Sequence, residues 1–137
     1  MTVNSKILVI DDDSIILFIH RTMIKNSGIK AEVEYFLSAE LGLKYIMEHK
    51  DTHSFLLLLD INMPVMTGWE LLDILKDCPF KENINVVMVT SSINEADRTK
   101  AGTYEQVHEY LTKPIKVADF VALQSHKKVG HFFRSLN

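Results

Sequence analysis

The chain has 137 residues, 47% hydrophobic and 24% charged, which suits one compact domain with a substantial core and argues against general disorder. A net charge of −3 and a pI near 6.0 disfavour unaided binding to nucleic acid or to an acidic membrane surface. The single cysteine, Cys78, excludes an internal disulfide; no cysteine–histidine set has zinc spacing, and no apolar stretch approaches the length of a membrane span.

The start, MTVNSKILVI, lacks a basic region followed by a long apolar run and a cleavage site, so a cytoplasmic location is expected. Short apolar runs then alternate with amphipathic stretches. Residues 6–10 read as a buried strand, and Asp13 or Ser14 caps a helix that runs to Ser27 and stops at Gly28. Residues 33–36 form a weaker strand. Ser38 caps the next helix, with Ala39, Leu43, Ile46 and Met47 on one face. Residues 55–59 are too uniformly apolar for a half-exposed strand and read as a central strand covered on both sides. Pro64 and Gly68 mark a loop before a helix over 69–76, and Cys78 falls beside Pro79 as an ordinary half-exposed thiol. Residues 85–89 are another apolar strand. Residues 94–103 are helical with a thin apolar face, 107–111 are a fifth strand, and a last helix begins at 117. Parallel strands joined by right-handed crossover helices predict a doubly wound α/β sandwich.

In such sheets ligands bind beyond the carboxyl ends of the strands, near the reversal of strand order. The first strand ends in Asp11, Asp12 and Asp13, the third in Asp60 with Asn62 just beyond, the fourth in Thr90, Ser91 and Ser92, and the fifth near Lys113-Pro114. An Asp-Asp pair by itself reads as a helix cap or a solvated turn, and Asp13 fits the cap. Asp60 differs, because it follows five apolar residues, and a carboxylate there is destabilised unless something compensates it. Converging carboxylates also repel one another, and a divalent cation with oxygen ligands relieves both problems. Mg²⁺ fits best, since it takes one or two carboxylates and leaves positions for phosphate oxygens. In this reading Asp60 attacks phosphorus, Asp12 holds the metal directly, and Asp11 acts at the metal directly or through water. Thr90 and Lys113 each take a phosphoryl oxygen.

The segments KILVIDDD, LLLLDINMPVMTGWELL, VVMVTSS and EYLTKPI, in this order and spacing, resemble the receiver domain of two-component response regulators, in the stand-alone, chemotaxis-regulator-like form. The resemblance implies a flavodoxin-like (βα)5 fold with a five-stranded parallel sheet in the order 2-1-3-4-5. It implies Asp60 as phosphoacceptor, and Asp11, Asp12, Asp60 and the backbone carbonyl of Asn62 as Mg²⁺ ligands. It makes Thr90 the switch hydroxyl, Lys113 the motif lysine, Pro114 the residue after a cis peptide, and Tyr110 the aromatic switch residue. Without the motif Tyr110 reads as an ordinary strand tyrosine. Ser91 stands where the family often has alanine, and Asn62 and Ser92 flank the attack path and bear on phosphoryl lifetime.

Residues 1–137 are accordingly expected to form a single receiver domain, with a core over about 5–129, a short C-terminal tail and no output domain. The expected partners are a sensor histidine kinase or a histidine phosphotransfer domain upstream and a protein target in trans downstream, with neither nucleic acid nor membrane. It is a signalling domain whose only catalysis is its own Mg²⁺-dependent phosphorylation and dephosphorylation. Val129, Phe132 and Phe133 near the C-terminus are read as a continuation of the last helix that docks, the other reading being an apolar patch for a partner. His20, His49, His53, His108, His126 and His131 are read as surface or core residues, not a metal site. Asp-x-Asp at 11–13 also occurs in haloacid-dehalogenase-type phosphatases, and a degenerate receiver acting as a constitutive binding module is a further alternative. A flavin-binding reading is weak, since no Gly/Ser-rich phosphate loop follows the first strand.

Overall fold

The computed structural model describes residues 4–91 and 94–134. Five parallel strands, β1 (Asn4–Ile10), β2 (Val33–Phe36), β3 (His53–Leu59), β4 (Ile84–Thr90) and β5 (Val107–Thr112), form one sheet in the order β2-β1-β3-β4-β5. The crossovers carry α1 (Ser14–Asn26), α2 (Ala39–His49), α3 (Gly68–Leu75) and α4 (Glu95–Ala101). After β5 come α5 (Val117–Gln124) and α6 (Gly130–Arg134). This is the doubly wound sandwich expected from the alternation of apolar runs, in the flavodoxin-like strand order that the resemblance implied.

The two-residue period of the strands sorts the core into two layers. Leu8, Ile10, Phe55, Leu57, Leu59, Val86 and Met88 face α2, α3 and α4. Ile7, Val9, Leu56, Leu58, Val87 and Val89 face α1, α5 and α6. The central position of β3 explains its unbroken apolar run, because both of its faces are covered.

Local signals account for the helix ends. The Asp13 side chain accepts from the N–H groups of Ile15 and Ile16, and Gly28 follows α1 at φ 72. Ser38 caps α2, and Thr67 and Glu70 form a reciprocal capping box at the start of α3. Two expectations need correction. Met47 is not on the buried face of α2, being 45% exposed; Gly42 takes that place, because its missing side chain lets the helix settle onto Ile10. The last helix does not continue: it ends at Gln124 with Ser125 as its C-cap, and beyond it Val129, Phe132 and Phe133, the last two in a separate α6, turn back into the layer with Phe120. The expectation that these residues dock is met, and they are not an exposed patch.

Candidate functional site

Strand register brings the acids together. Ile10 pairs with Leu59 across β1 and β3, so the next residues, Asp11 and Asp60, leave the sheet side by side. The Asp60 N–H donates to the Ile10 carbonyl at 3.0 Å, which extends the ladder to this point. Both carboxylates are almost wholly buried, Asp11 at 2% and Asp60 at 3% exposure, while Asp12 lies at the exposed rim. Thr90 ends β4 with no exposed surface, and it pairs with Thr112, the residue before Lys113. The Lys113 N–H donates to the Thr90 carbonyl at 2.9 Å, and the Lys113–Pro114 peptide is cis, as the motif implied.

The Lys113 side chain closes the pocket. Its Nζ lies 3.0 Å from Asp11 Oδ2 and 3.4 Å from Asp60 Oδ2, although the three residues come from three different strand ends. Burial would lower the lysine's pKa, but its hydrogen bond to Asp11 and the charges of Asp60 and Asp11 outweigh that and raise it. Asp60 moves the other way from a stable carboxylate: burial first, then the charge of Asp11, push it up to about 6, with Lys113 opposing. Asp11 Oδ1 also accepts the Asp13 N–H at 2.9 Å, which orients its carboxylate.

Ligand oxygens of Asp11, Asp12 and Asp60 all lie within 4.8 Å of one another, and among the described residues no other group of three metal-ligating side chains converges in this way. The donors are all oxygens, and three carboxylates face one ammonium, so a hard divalent cation fits both the donor chemistry and the residual charge. Gly68 makes the pocket floor possible. A Cβ there would stand 2.3 Å from the Asp60 carbonyl oxygen, so only glycine lets α3 start directly against the end of β3.

Asn62 lies in the loop after Asp60 with its side chain exposed, and Ser91 is exposed beyond Thr90. Ser92 lies outside the described residues. Tyr110 is half-buried in β5 on the α4 side, with the Arg98 guanidinium 4.8 Å from its ring centre. Asp13 spends its carboxylate on capping α1, and the pocket is built around Asp60, which disfavours the Asp-x-Asp phosphatase reading.

The histidines do not assemble into a ligand set: His49 and His53 contact each other edge to face, and His126 lies near His108. Sequence reasoning left His20 without a role. It is buried on α1 and joins the Lys113 turn by accepting the Ile115 N–H at Nε2, 3.0 Å away. The signal for its burial was its spacing from Leu17 and Ile24, three and four residues away, which the sequence reading did not use; its partner was not readable from sequence.

Residues 7–124 match the family model described as the response regulator receiver domain. The chain is similar to the two-component response regulator ARR11 of Arabidopsis thaliana, 29% identical over 124 residues, covering 90% of this chain and 22% of that protein. It thus spans about a fifth of the plant relative's length. It is also similar to the polar-differentiation response regulator DivK of Brucella ovis, 27% identical over 117 residues, covering 84% of this chain and 89% of that protein. Among solved structures, a two-component response regulator from Cytophaga hutchinsonii superposes with a TM-score of 0.76 at 29% identity, covering 86% of this chain and 92% of that one. Receiver domains are phosphoacceptor signalling domains of two-component systems and not classical enzymes. Every residue that meets in the pocket falls within the matched span, and the chain belongs to the response regulator receiver domain family.

Proposed function

We propose that this receiver domain accepts a phosphoryl group on Asp60 from a histidine kinase or a histidine phosphotransfer domain, and that the modified pocket switches a protein-binding surface. The observation that carries the reading is the position of Asp60: a buried carboxylate at the end of the central strand, in ligand-sharing range of Asp11 and Asp12 and 3.4 Å from Lys113 Nζ. An Asp60 oxygen forms the new bond to phosphorus as the bond from phosphorus to the donor's nitrogen breaks. Lys113, now paired with Asp11 and Asp60, is placed to take a phosphoryl oxygen, and the Thr90 hydroxyl to donate to another. Mg²⁺, held by Asp11, Asp12, Asp60 and the Asn62 carbonyl, would supply neutralising charge for the phosphoryl oxygens.

A dianion on Asp60 attracts groups from β4 and β5 and so favours any state that brings Thr90 and Lys113 closer. Tyr110, in β5 beside β4 and with the Arg98 guanidinium of α4 over its ring, would register that change. The acidic balance of the chain supports a protein target in trans over nucleic acid or an acidic membrane, and among the described residues no helix is long and apolar enough to cross a membrane. A single receiver domain over the whole chain and a cytoplasmic setting belong to the same proposal.

The test is incubation with acetyl phosphate and Mg²⁺, read by intact mass, for the natural chain and Asp60→Asn. One hydroxylamine-labile phosphate on the natural chain alone is expected. Equal labelling of both proteins would place the nucleophile elsewhere.

A further inference from the structure

We infer that His20 is a positioning residue for the Asp60 pocket: by accepting the Ile115 N–H from the buried face of α1, it holds the turn that presents Lys113. The inference rests on the reading of Asp60 and Lys113 given above.

The turn after β5 is fixed at two points. At its start the Lys113 N–H donates to the Thr90 carbonyl of β4 at 2.9 Å. At its end the Ile115 N–H donates to His20 Nε2 at 3.0 Å. Between these anchors the Lys113 side chain reaches back to Asp11 and Asp60. A lysine ammonium sits on a flexible four-carbon stem, so where it points depends on how firmly its backbone is held. The β4 anchor belongs to the sheet ladder, whereas the second comes from a helix on the other side of the turn and depends on one side chain.

The chemistry of His20 favours this role over simple packing. The residue is 1% exposed, and its Nδ1 has no hydrogen-bond partner among the described residues. A leucine or phenylalanine would fill the same space without an orphan polar atom. What the imidazole adds is one acceptor, aimed at a backbone N–H that is itself buried, since Ile115 has no exposed surface. The bond assigns the ring proton to Nδ1. Burial, with the charge of Lys113 adding to it, pushes the imidazole down to about 4, so Nε2 keeps its lone pair at neutral pH. His20 acts through Ile115: its Nε2 bonds to the turn and not to a carboxylate of the pocket.

Three substitutions separate the acceptor from the shape. His20→Phe keeps a ring without an acceptor, His20→Leu is a second acceptor-free variant should the first misfold, and His20→Gln returns an amide oxygen near the position of Nε2. Rates of Asp60 phosphorylation by acetyl phosphate with Mg²⁺ are compared by intact mass, after far-UV circular dichroism has confirmed folding. His20→Phe or His20→Leu should slow the reaction roughly tenfold, and His20→Gln should stay within about threefold of the natural chain. In a Lys113→Ala background the same His20 substitution should change the rate by less than about twofold, because the residue it positions is gone. A folded His20→Gln as slow as His20→Phe would overturn the inference, as would a full tenfold effect without Lys113. Labelling of Asp60→Asn would instead overturn the reading of the pocket, so the two failures are distinguishable.

Discussion

Asp60 is held where its own charge is unwelcome. Its carboxyl is raised from 3.8 to about 6, first by burial and then by Asp11. A folded state that binds this proton more tightly than the unfolded chain gains stability from it below about pH 4 and loses that stability as pH rises through 6. A shift of this size corresponds to about 3 kcal/mol as an upper bound. In chelator at pH 7.5, Asp60→Asn should therefore be more stable than the natural chain by roughly 1–3 kcal/mol, and the advantage should shrink towards zero near pH 4. Urea unfolding at the two pH values checks this; an advantage that grew on acidification would reverse the sign and refute the assignment. The placement also gives Asp60 its use, because a carboxylate held against two others and an ammonium is one that a cation or a phosphoryl group can relieve.

At the scale of elements, α6 is the least expected part of the chain. It lies beyond the residues that match the receiver family, which end at 124, yet Phe132 is wholly buried and Phe133 nearly so. The helix packs against α5 and β1, and Gly130 allows the approach, since a Cβ there would stand 2.6 Å from the Gln124 carbonyl oxygen. The Arg134 guanidinium donates to the same carbonyl oxygen. Truncating a buried phenylalanine removes its transfer free energy and leaves a cavity, so Phe132→Ala should destabilise the domain by about 3–5 kcal/mol. Denaturant midpoints at unchanged m-value would show it. A loss below about 0.5 kcal/mol, the size usual for surface positions, would mean that α6 is not part of the core.

For the whole molecule, the pocket exists only when the sheet does. Asp11, Asp60 and Lys113 are separated by long stretches of chain and meet because β1, β3 and β5 lie in one parallel sheet. A divalent cation that uses Asp11, Asp12 and Asp60 therefore binds the folded state and stabilises it by mass action. At about ten times its dissociation constant, Mg²⁺ should contribute about 1.4 kcal/mol and raise the melting temperature by roughly 5 °C. Calorimetry with Mg²⁺ and with chelator measures the difference, and Asp12→Asn should reduce it. An unchanged difference in Asp12→Asn would remove Asp12 from the ligand set.

Much of this was legible in the sequence for a simple reason: the inner strands β1, β3 and β4 are buried on both faces over most of their length, so their apolar runs stand out, and polar residues resume where those strands end. That pattern located Asp11, Asp60 and Thr90, the Lys113-Pro114 pair marked the end of the fifth strand, and the capping residues Asp13, Ser38 and Gly28 marked helix ends. What lay outside it depended on packing between distant segments. Met47 has the spacing of a core residue but lies on the side of α2 that stays open to solvent, and the turn between α5 and α6 follows from the need to bury Val129, Phe132 and Phe133, not from any local breaker. The bond from Ile115 to His20 joins residues far apart in the chain. Local sequence determined which residues end each strand; only the tertiary structure decided which of them touch, because register, sheet order and the docking of helices are set by contacts that no single segment contains.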